Sequence, residues 1–446
     1  MVGTALSTPA EAEAVPAADR RIADAVASAL ALSVYALLLV VASRWGESLL
    51  AQKVHLQIET PPLNGVLDWR LGRTALPAVV CALVLVVALP WLGERLRWTT
   101  LLSVAAVGAL AWAITLALVD GTAALTDPLL SDQYLRTVTQ VGNVDVFLRT
   151  FTHRIAEYNI HTQGHPPGMV MVLWVLDRIG LGGVRWNSAL VFSGGAAAVV
   201  AVLVATRDIA GEQMARRALP FLVLAPAAVS WTSGDPFFAG VSAWAVTALV
   251  LATSQSGRRS DALAVVGGLL FAATAFLSYG LVLLAVIPAV IAVWRGRIRV
   301  LAIAAAVVVA VVLVIWAVTG FAWWDGLAAT RARYFHGVAS RRPYDYFLLA
   351  NLAAFAVIIG PATAVAFTKL RRGPLALLAG AALVVVLLAD VSGMSKAEVE
   401  RIWLPFVPWA MVAGALLATR LRTAMAWLSV QAVGTLVLAV AIRSPW

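Results

Sequence analysis

Titratable side chains are sparse in this chain, and one stretch gathers many of them. The segment 119–168 carries Asp120, Asp127, Asp132, Asp145, Glu157 and three of the five histidines. A carboxylate held just outside an apolar segment, under a cover of amphipathic helices, can take the proton of a hydroxyl as that hydroxyl attacks. Asp132 is the favoured general base, with Asp127 as the second candidate. Asp127 precedes Pro128 and equally suits the start of a helix. Further along, His161-Thr-Gln-Gly-His165-Pro-Pro-Gly168 sets two prolines at the opening of an apolar helix. That places His165 at a helix N-terminus, where an anion such as a phosphate is favoured. His161 and His165 also have the spacing of a metal pair, but the motif offers no third ligand, so no metal or other cofactor is expected.

Three other clusters can serve a phosphate-bearing substrate. The block 392–405 contains Lys396, Glu398, Glu400 and Arg401 before an apolar run. Lys396 and Arg401 can neutralise phosphate oxygens, and Glu398 or Glu400 can orient them by ion pairing. The same residues also suit plain anchoring at a membrane surface. The segments 331–336 and 341–346 interleave Arg333 and Arg341 with Tyr334, His336 and Tyr344. Guanidinium forks suit phosphate and rings suit sugar faces, whereas an amphipathic helix on anionic lipid has the same composition. Asp235 and Tyr279 mark corners between apolar segments. The loop 43–74, with Glu47, Glu59, Asp68 and a Pro-Pro-Leu-Asn-Gly turn, ranks lower because no basic block or histidine pair accompanies it.

The elements that position these groups are transmembrane helices. The chain is 61% hydrophobic and 13% charged, about half the charge of a soluble domain. Repeated apolar runs of about 18 residues or more mark membrane spans, so the fold class is an all-α polytopic bundle. Thirteen spans are expected: 25–42, 75–93, 99–119, 187–206, 216–231, 237–253, 262–278, 279–294, 298–319, 347–368, 374–391, 402–419 and 424–442. The apolar segment 167–181 is short and carries Asp177 and Arg178, so it reads as an interfacial or re-entrant helix. With that choice the short basic connections at 93–97, 207–217, 256–260, 294–299, 369–373 and 419–422 all fall on one side, expected to be cytoplasmic. The long loops 43–74, 120–186, 320–346 and 392–401 then share the other side. Residues 1–22 read as a disordered cytoplasmic tail, 23–98 as two spans with an external loop, 99–419 as the core and 420–446 as a last span. The net charge of +10 fits topology-setting loops, and there is neither a nucleic-acid motif nor a Walker or glycine-rich nucleotide loop. The lone cysteine, Cys81, excludes a disulfide framework.

The arrangement resembles the membrane-embedded glycosyltransferases of the GT-C class. These include protein O-mannosyltransferases, aminoarabinose transferases of lipid A, and actinobacterial mannosyl- and arabinosyltransferases. In that class an acid in the first large external loop precedes juxtamembrane helices and a His-Pro-Pro or Lys-Pro-Pro motif. Here Asp132, closely followed by Tyr134, and His165-Pro166-Pro167 stand at a similar separation. Late in such chains a basic segment leads into a span with Leu-Pro and a further Pro, as Lys396, Arg401, Leu404-Pro405 and Pro408 do here. The resemblance implies an inverting transfer of a sugar, mannose or arabinose, from a polyprenyl phosphate to an extracytoplasmic glycan, lipid or protein. Asp132 or Asp127 would act as base. His165, Lys396, Arg401, Arg341 and Arg333 would hold the donor phosphate, and Tyr134, His161, His336, Tyr344, Asp235 and Glu398 would line the substrate. A transporter or flippase of a polyprenyl-linked or anionic solute is the alternative, and it would place charges near the middle of spans.

Overall fold

A computed structural model describes residues 17–130 and 133–446, so Asp132 lies outside the described residues. The fold is an all-α bundle. Its one sheet among the described residues is an antiparallel pair, Val66–Leu67 with Ile442–Arg443. Among the described residues, ten helices are long and apolar enough to cross a membrane: Ile22–Ala51, Arg73–Arg95, Trp98–Asp120, Val184–Ala210, Asp235–Ser254, Gly257–Leu277, Ile298–Thr319, Tyr344–Phe367, Pro374–Val391 and Leu421–Ala441. This is a multi-pass membrane protein.

Three of the expected spans are not continuous helices. The first is a helix Glu212–Val223 followed by a 3-10 turn Pro226–Ser230. The second is a 3-10 turn Tyr279–Ala285 followed by Val286–Trp294. The third, after Val399–Ile402, is Val407–Met411 and a 3-10 turn Val412–Leu416. Pro226, Pro405 and Pro408 each lack an amide donor, and Ser278 is extended at φ −156°. Broken backbone is tolerated at membrane depth where protein covers it. Accordingly Phe221, Leu224, Leu284, Ile287, Trp409 and Met411 are fully buried.

Burial grades from the centre outward. Two-thirds or more of Val184–Ala210 and Asp235–Ser254 is buried, against 11% of Ile298–Thr319 and 6% of Ile22–Ala51. The peripheral helices turn valine and leucine outward, as a lipid-facing surface requires. The two central helices meet through Gly194 and Gly240, where an added Cβ would stand 2.5 Å from the opposing backbone, so only glycine permits this approach. Gly360, at φ 79° before Pro361, kinks Tyr344–Phe367.

The expected non-crossing segment is the helix Gly168–Arg178, of 11 residues, about half the length a span needs. It presses on the end of Gly257–Leu277, where a Cβ on Gly168 would overlap the Phe276 carbonyl. The long loops meet at this same end of the bundle. Thr74 bonds the Val119 carbonyl, Tyr346 the Ala42 carbonyl, and Arg401 pairs with Asp235. The basic connections meet at the opposite end. There Arg216 donates to the carbonyls of Gly93 and Leu96, Arg295 pairs with Asp208, and Arg299 pairs with Asp261.

Candidate functional site

Arg401 is the hub of the loop-bearing end. Its Nη1 donates to Asp235 Oδ2 at 3.0 Å and its Nη2 to Glu398, while its guanidinium lies 4.8 Å from the Trp446 ring centre. Arg401 and Asp235 are about 95% buried. Burial opposes the charge on Arg401, but the two carboxylates outweigh it and raise its pKa. Burial likewise pushes Glu398 up, yet Arg401, helped by His161 and Arg342, brings it below the ordinary carboxylate range. Arg401 Nε is buried with no partner among the described residues.

The loop 133–168 delivers its aromatic and imidazole groups to this hub. Asn159 organises it: Oδ1 accepts from the Thr162 amide at 3.0 Å and so caps the helix Ile160–Gln163, while Nδ2 donates to the Gln133 carbonyl. Tyr134, fully buried, is then ringed by His161, His165 and Phe238 at centroid distances of 6.2, 5.7 and 6.1 Å. Burial, with the Asp235 charge adding, raises the Tyr134 phenol well above its usual value. His165 donates from Nδ1 to the His161 carbonyl at 2.8 Å. Burial lowers its pKa against the pull of Asp235, so the ring is neutral and Nε2 is an acceptor. Gln133 Nε2 lies 3.3 Å from His161 Nε2, and its Oε1 is buried with no partner among the described residues.

A second layer holds the 392–401 segment in shape. Ala397 and Glu398 both take left-handed backbone angles, φ 71° and 61°, which cost about 1–3 kcal/mol each for non-glycine residues. Their surroundings over-determine that conformation. Lys396 Nζ donates to the carbonyls of Ala339 and Arg342 at 3.0 and 2.9 Å, and its amide donates to Tyr334 Oη at 2.8 Å. Arg342 in turn bonds the carbonyls of Leu56, Gln57 and Lys396. Burial lowers both cations' pKa values. The loop 43–74, ranked low from sequence, is thus a brace of the site. It supplies the Leu56 and Gln57 carbonyls and the Asn64 amide, which donates to Glu400 Oε1 at 2.8 Å.

Beside the hub lies a cavity of about 70 Å³. Asp120, Pro128, Ser230, Thr232, Glu400 and Trp446 are among its walls. It therefore joins the start of the acidic loop to the 392–401 segment. Burial drives the Glu400 carboxyl up to about 7, with Glu398 adding repulsion, against the Asn64 amide and Arg401. Glu400 Oε2 is buried and has no partner among the described residues.

The sequence-predicted residues divide into three groups. Asp235, Glu398, Arg401, Tyr134, His161 and His165 come together at the hub. Lys396 and Arg333 act one step away, Arg333 bonding the side chain of Gln163, whose Nε2 holds the Tyr158 carbonyl. Tyr344 is exposed, its hydroxyl on the Val391 carbonyl and its ring 5.8 Å from Lys396 Nζ. Asp127 is exposed beside Thr126, at the first residue of the helix Asp127–Leu130. His336 and Arg341 are exposed too, His336 bonding the Ala332 carbonyl within its own helix. The buried guanidinium of that pair is Arg342. Sequence reading also missed Gln133 and Trp446. Compared with known proteins, the chain matches no family model and no curated protein.

Proposed function

We propose that this chain is an integral-membrane glycosyltransferase that uses a polyprenyl-phosphate sugar. The observation that supports the reading is convergence. The acidic loop, its two histidines and the distant 396–401 block close on one buried cluster and one cavity at a single end of the bundle. In the proposed reaction an acceptor hydroxyl attacks the anomeric carbon as its bond to phosphate oxygen breaks. Asp132 takes the hydroxyl proton, and the polyprenyl phosphate leaves with inversion at carbon. Arg401, whose Nε has no partner among the described residues, opposes the charge growing on the leaving phosphate. Lys396 is bound to carbonyls and serves better as a clamp of the segment than as a phosphate ligand.

The topology belongs to the same proposal. The three broken segments each join the basic end to the loop-bearing end, which gives thirteen crossings. The basic end is cytoplasmic by the positive-inside rule, and the site is extracytoplasmic in a plasma membrane. A transporter would carry charges near mid-span. In the ten long helices every Asp, Glu, Lys and Arg falls within the first or last eight residues, which favours the transferase.

The test is transfer of labelled mannose or arabinose from polyprenyl monophosphate by the purified protein in nanodiscs. Wild type transfers, and Asp132→Asn loses at least about 100-fold. Full activity in an Asp127→Asn, Asp132→Asn double variant removes the proposed base. Vectorial movement of a polyprenyl-linked or anionic solute without transfer replaces the reading by the transporter.

A further inference from the structure

We propose that the helix Trp323–His336 lies on the membrane surface at the loop-bearing end, and that Arg331 on its outer line holds the headgroup phosphate of an anionic phospholipid. The inference is independent of the transferase reading, which gives this line no role.

Two lines of side chains run along this helix at the α-helical period. The inner line is Trp323, Gly326, Thr330 and Tyr334. Trp323 Nε1 donates to the Ala275 carbonyl at 2.9 Å, Thr330 Oγ1 donates to the Gln163 carbonyl at 3.2 Å, and Tyr334 Oη accepts from the Lys396 amide. A Cβ on Gly326 would overlap Tyr279 Oη. This face is therefore fixed to the scaffold of the site. The outer line is Trp324, Ala328, Arg331 and Phe335, all exposed. Two large rings with a cation between them, on the exposed side of a helix that does not cross, have the composition of an interfacial helix.

The neighbouring span points to the occupant. Ile298–Thr319 belongs to the lipid-facing periphery, and only residues 320–322 separate it from this helix. Trp316, 46% exposed near the end of that span, meets Trp324 edge-on with 5.4 Å between ring centres. The outer line thus continues a lipid-facing surface at the depth where tryptophans anchor spans. Charge decides the class of lipid. The Arg331 guanidinium lies 5.8 Å from the Phe335 ring centre, and no carboxylate pairs with it among the described residues. Asp325, Arg333 and His336 are exposed about a quarter turn or more around the helix, and Arg333 is bonded to Gln163. By contrast, Arg149 and Arg154, also exposed at this end, meet Asp145 and Glu157. A zwitterionic headgroup brings its own cation to its phosphate, whereas an anionic headgroup leaves that charge to the protein.

The test uses the full chain with Ala328→Cys in a Cys81→Ala background, labelled with a bimane fluorophore, in phosphatidylcholine nanodiscs. Three quenchers distinguish the occupants: nitroxide-bearing phosphatidylglycerol, nitroxide-bearing phosphatidylcholine and aqueous iodide. Both lipids are expected to quench, phosphatidylglycerol more strongly at equal content, and iodide only weakly. Arg331→Gln should lower the preference for phosphatidylglycerol about fivefold, the effect of one basic residue near an anionic surface. Arg331→Lys should keep the preference. Arg331 is exposed, so neither variant disturbs the core. Strong iodide quenching without lipid quenching leaves the outer line in water and overturns the inference. Protection from all three quenchers means that a second copy or another protein covers the line, which overturns it too. Equal quenching by the two lipids, an unchanged preference in Arg331→Gln, or an equal loss in Arg331→Lys overturns the assignment of an anionic headgroup to Arg331.

Discussion

At the basic end of the bundle, Arg295 donates through Nη1 to Asp208 Oδ2 at 2.7 Å, to Thr253 Oγ1 at 2.9 Å and to the Val250 carbonyl, while Nη2 takes the Asp208 carbonyl. At the loop-bearing end, Arg401 is more deeply buried and is held by two carboxylates, and among the described residues neither its Nε nor Glu400 Oε2 has a partner. Backbone strain accompanies the second arrangement, at Ala397 and Glu398. Buried polar groups in a stable fold are nearly all satisfied. The unsatisfied atoms at this end are one place where the fold has not met every polar group. The first arrangement ties helices together; the second is the one to which the proposed function assigns the donor phosphate.

The comparison breaks most visibly if the arginines are removed. Arg401→Ala leaves Asp235 and Glu398 buried without their counter-charge. It is expected to cost about 3–5 kcal/mol of stability and to abolish transfer. Arg295→Ala should cost a similar or smaller amount, about 2–4 kcal/mol, while activity per folded molecule is kept. Thermal unfolding in nanodiscs, paired with the transfer assay, separates the two. Equal loss of activity at matched folded fraction would erase the distinction between the ends.

Glu400 gives the next largest effect, with a definite sign. A carboxyl whose pKa is higher folded than unfolded binds more protons when folded, so it destabilises the fold as pH rises. The penalty begins near the ordinary carboxylate value of 4.5 and is complete above about 7. The difference corresponds to about 3 kcal/mol. Glu400→Gln should therefore unfold at a higher temperature than wild type at pH 8, and at the same temperature at pH 4. A uniform offset at both values would show that folding does not raise the Glu400 pKa.

Smaller effects sharpen the picture of how the loop end is held. Gly168→Ala sets a methyl against the Phe276 carbonyl and should cost about 1–3 kcal/mol. The surface helix it seats would then exchange amide protons faster, measurable by hydrogen exchange. Ala397→Gly relieves a left-handed residue and should stabilise by about 1 kcal/mol or less. It should also lower transfer if the strained segment presents Glu398 and Arg401. Stabilisation with unchanged transfer would make the strain incidental.

Much of the bundle was legible because hydropathy and helix length are local properties. Ten expected spans correspond to the ten long helices, and the shortness and charge of 167–181 marked it as a surface helix. The three broken segments were counted as spans because their composition is just as apolar. Only their central position, shielded by other helices, lets the backbone depart from α geometry there.

For the site, residue type and clustering pointed to the loop 119–168 and the block 392–405, and five other candidates do gather around Arg401. What the sequence alone determined, then, was the set of segments rich in chemistry and their expected placement on one face. Tertiary structure decided which side chain of each segment turns inward. Arg341 and Arg342 are neighbours with no periodic pattern to rank them, and packing against Leu56 and Gln57 buries the second. Glu400 is held by Asn64, far away in sequence, and lines a cavity whose walls include Trp446. Such groups become distinctive only through burial and the loss of water, which depend on contacts between distant segments and leave no local trace in the chain.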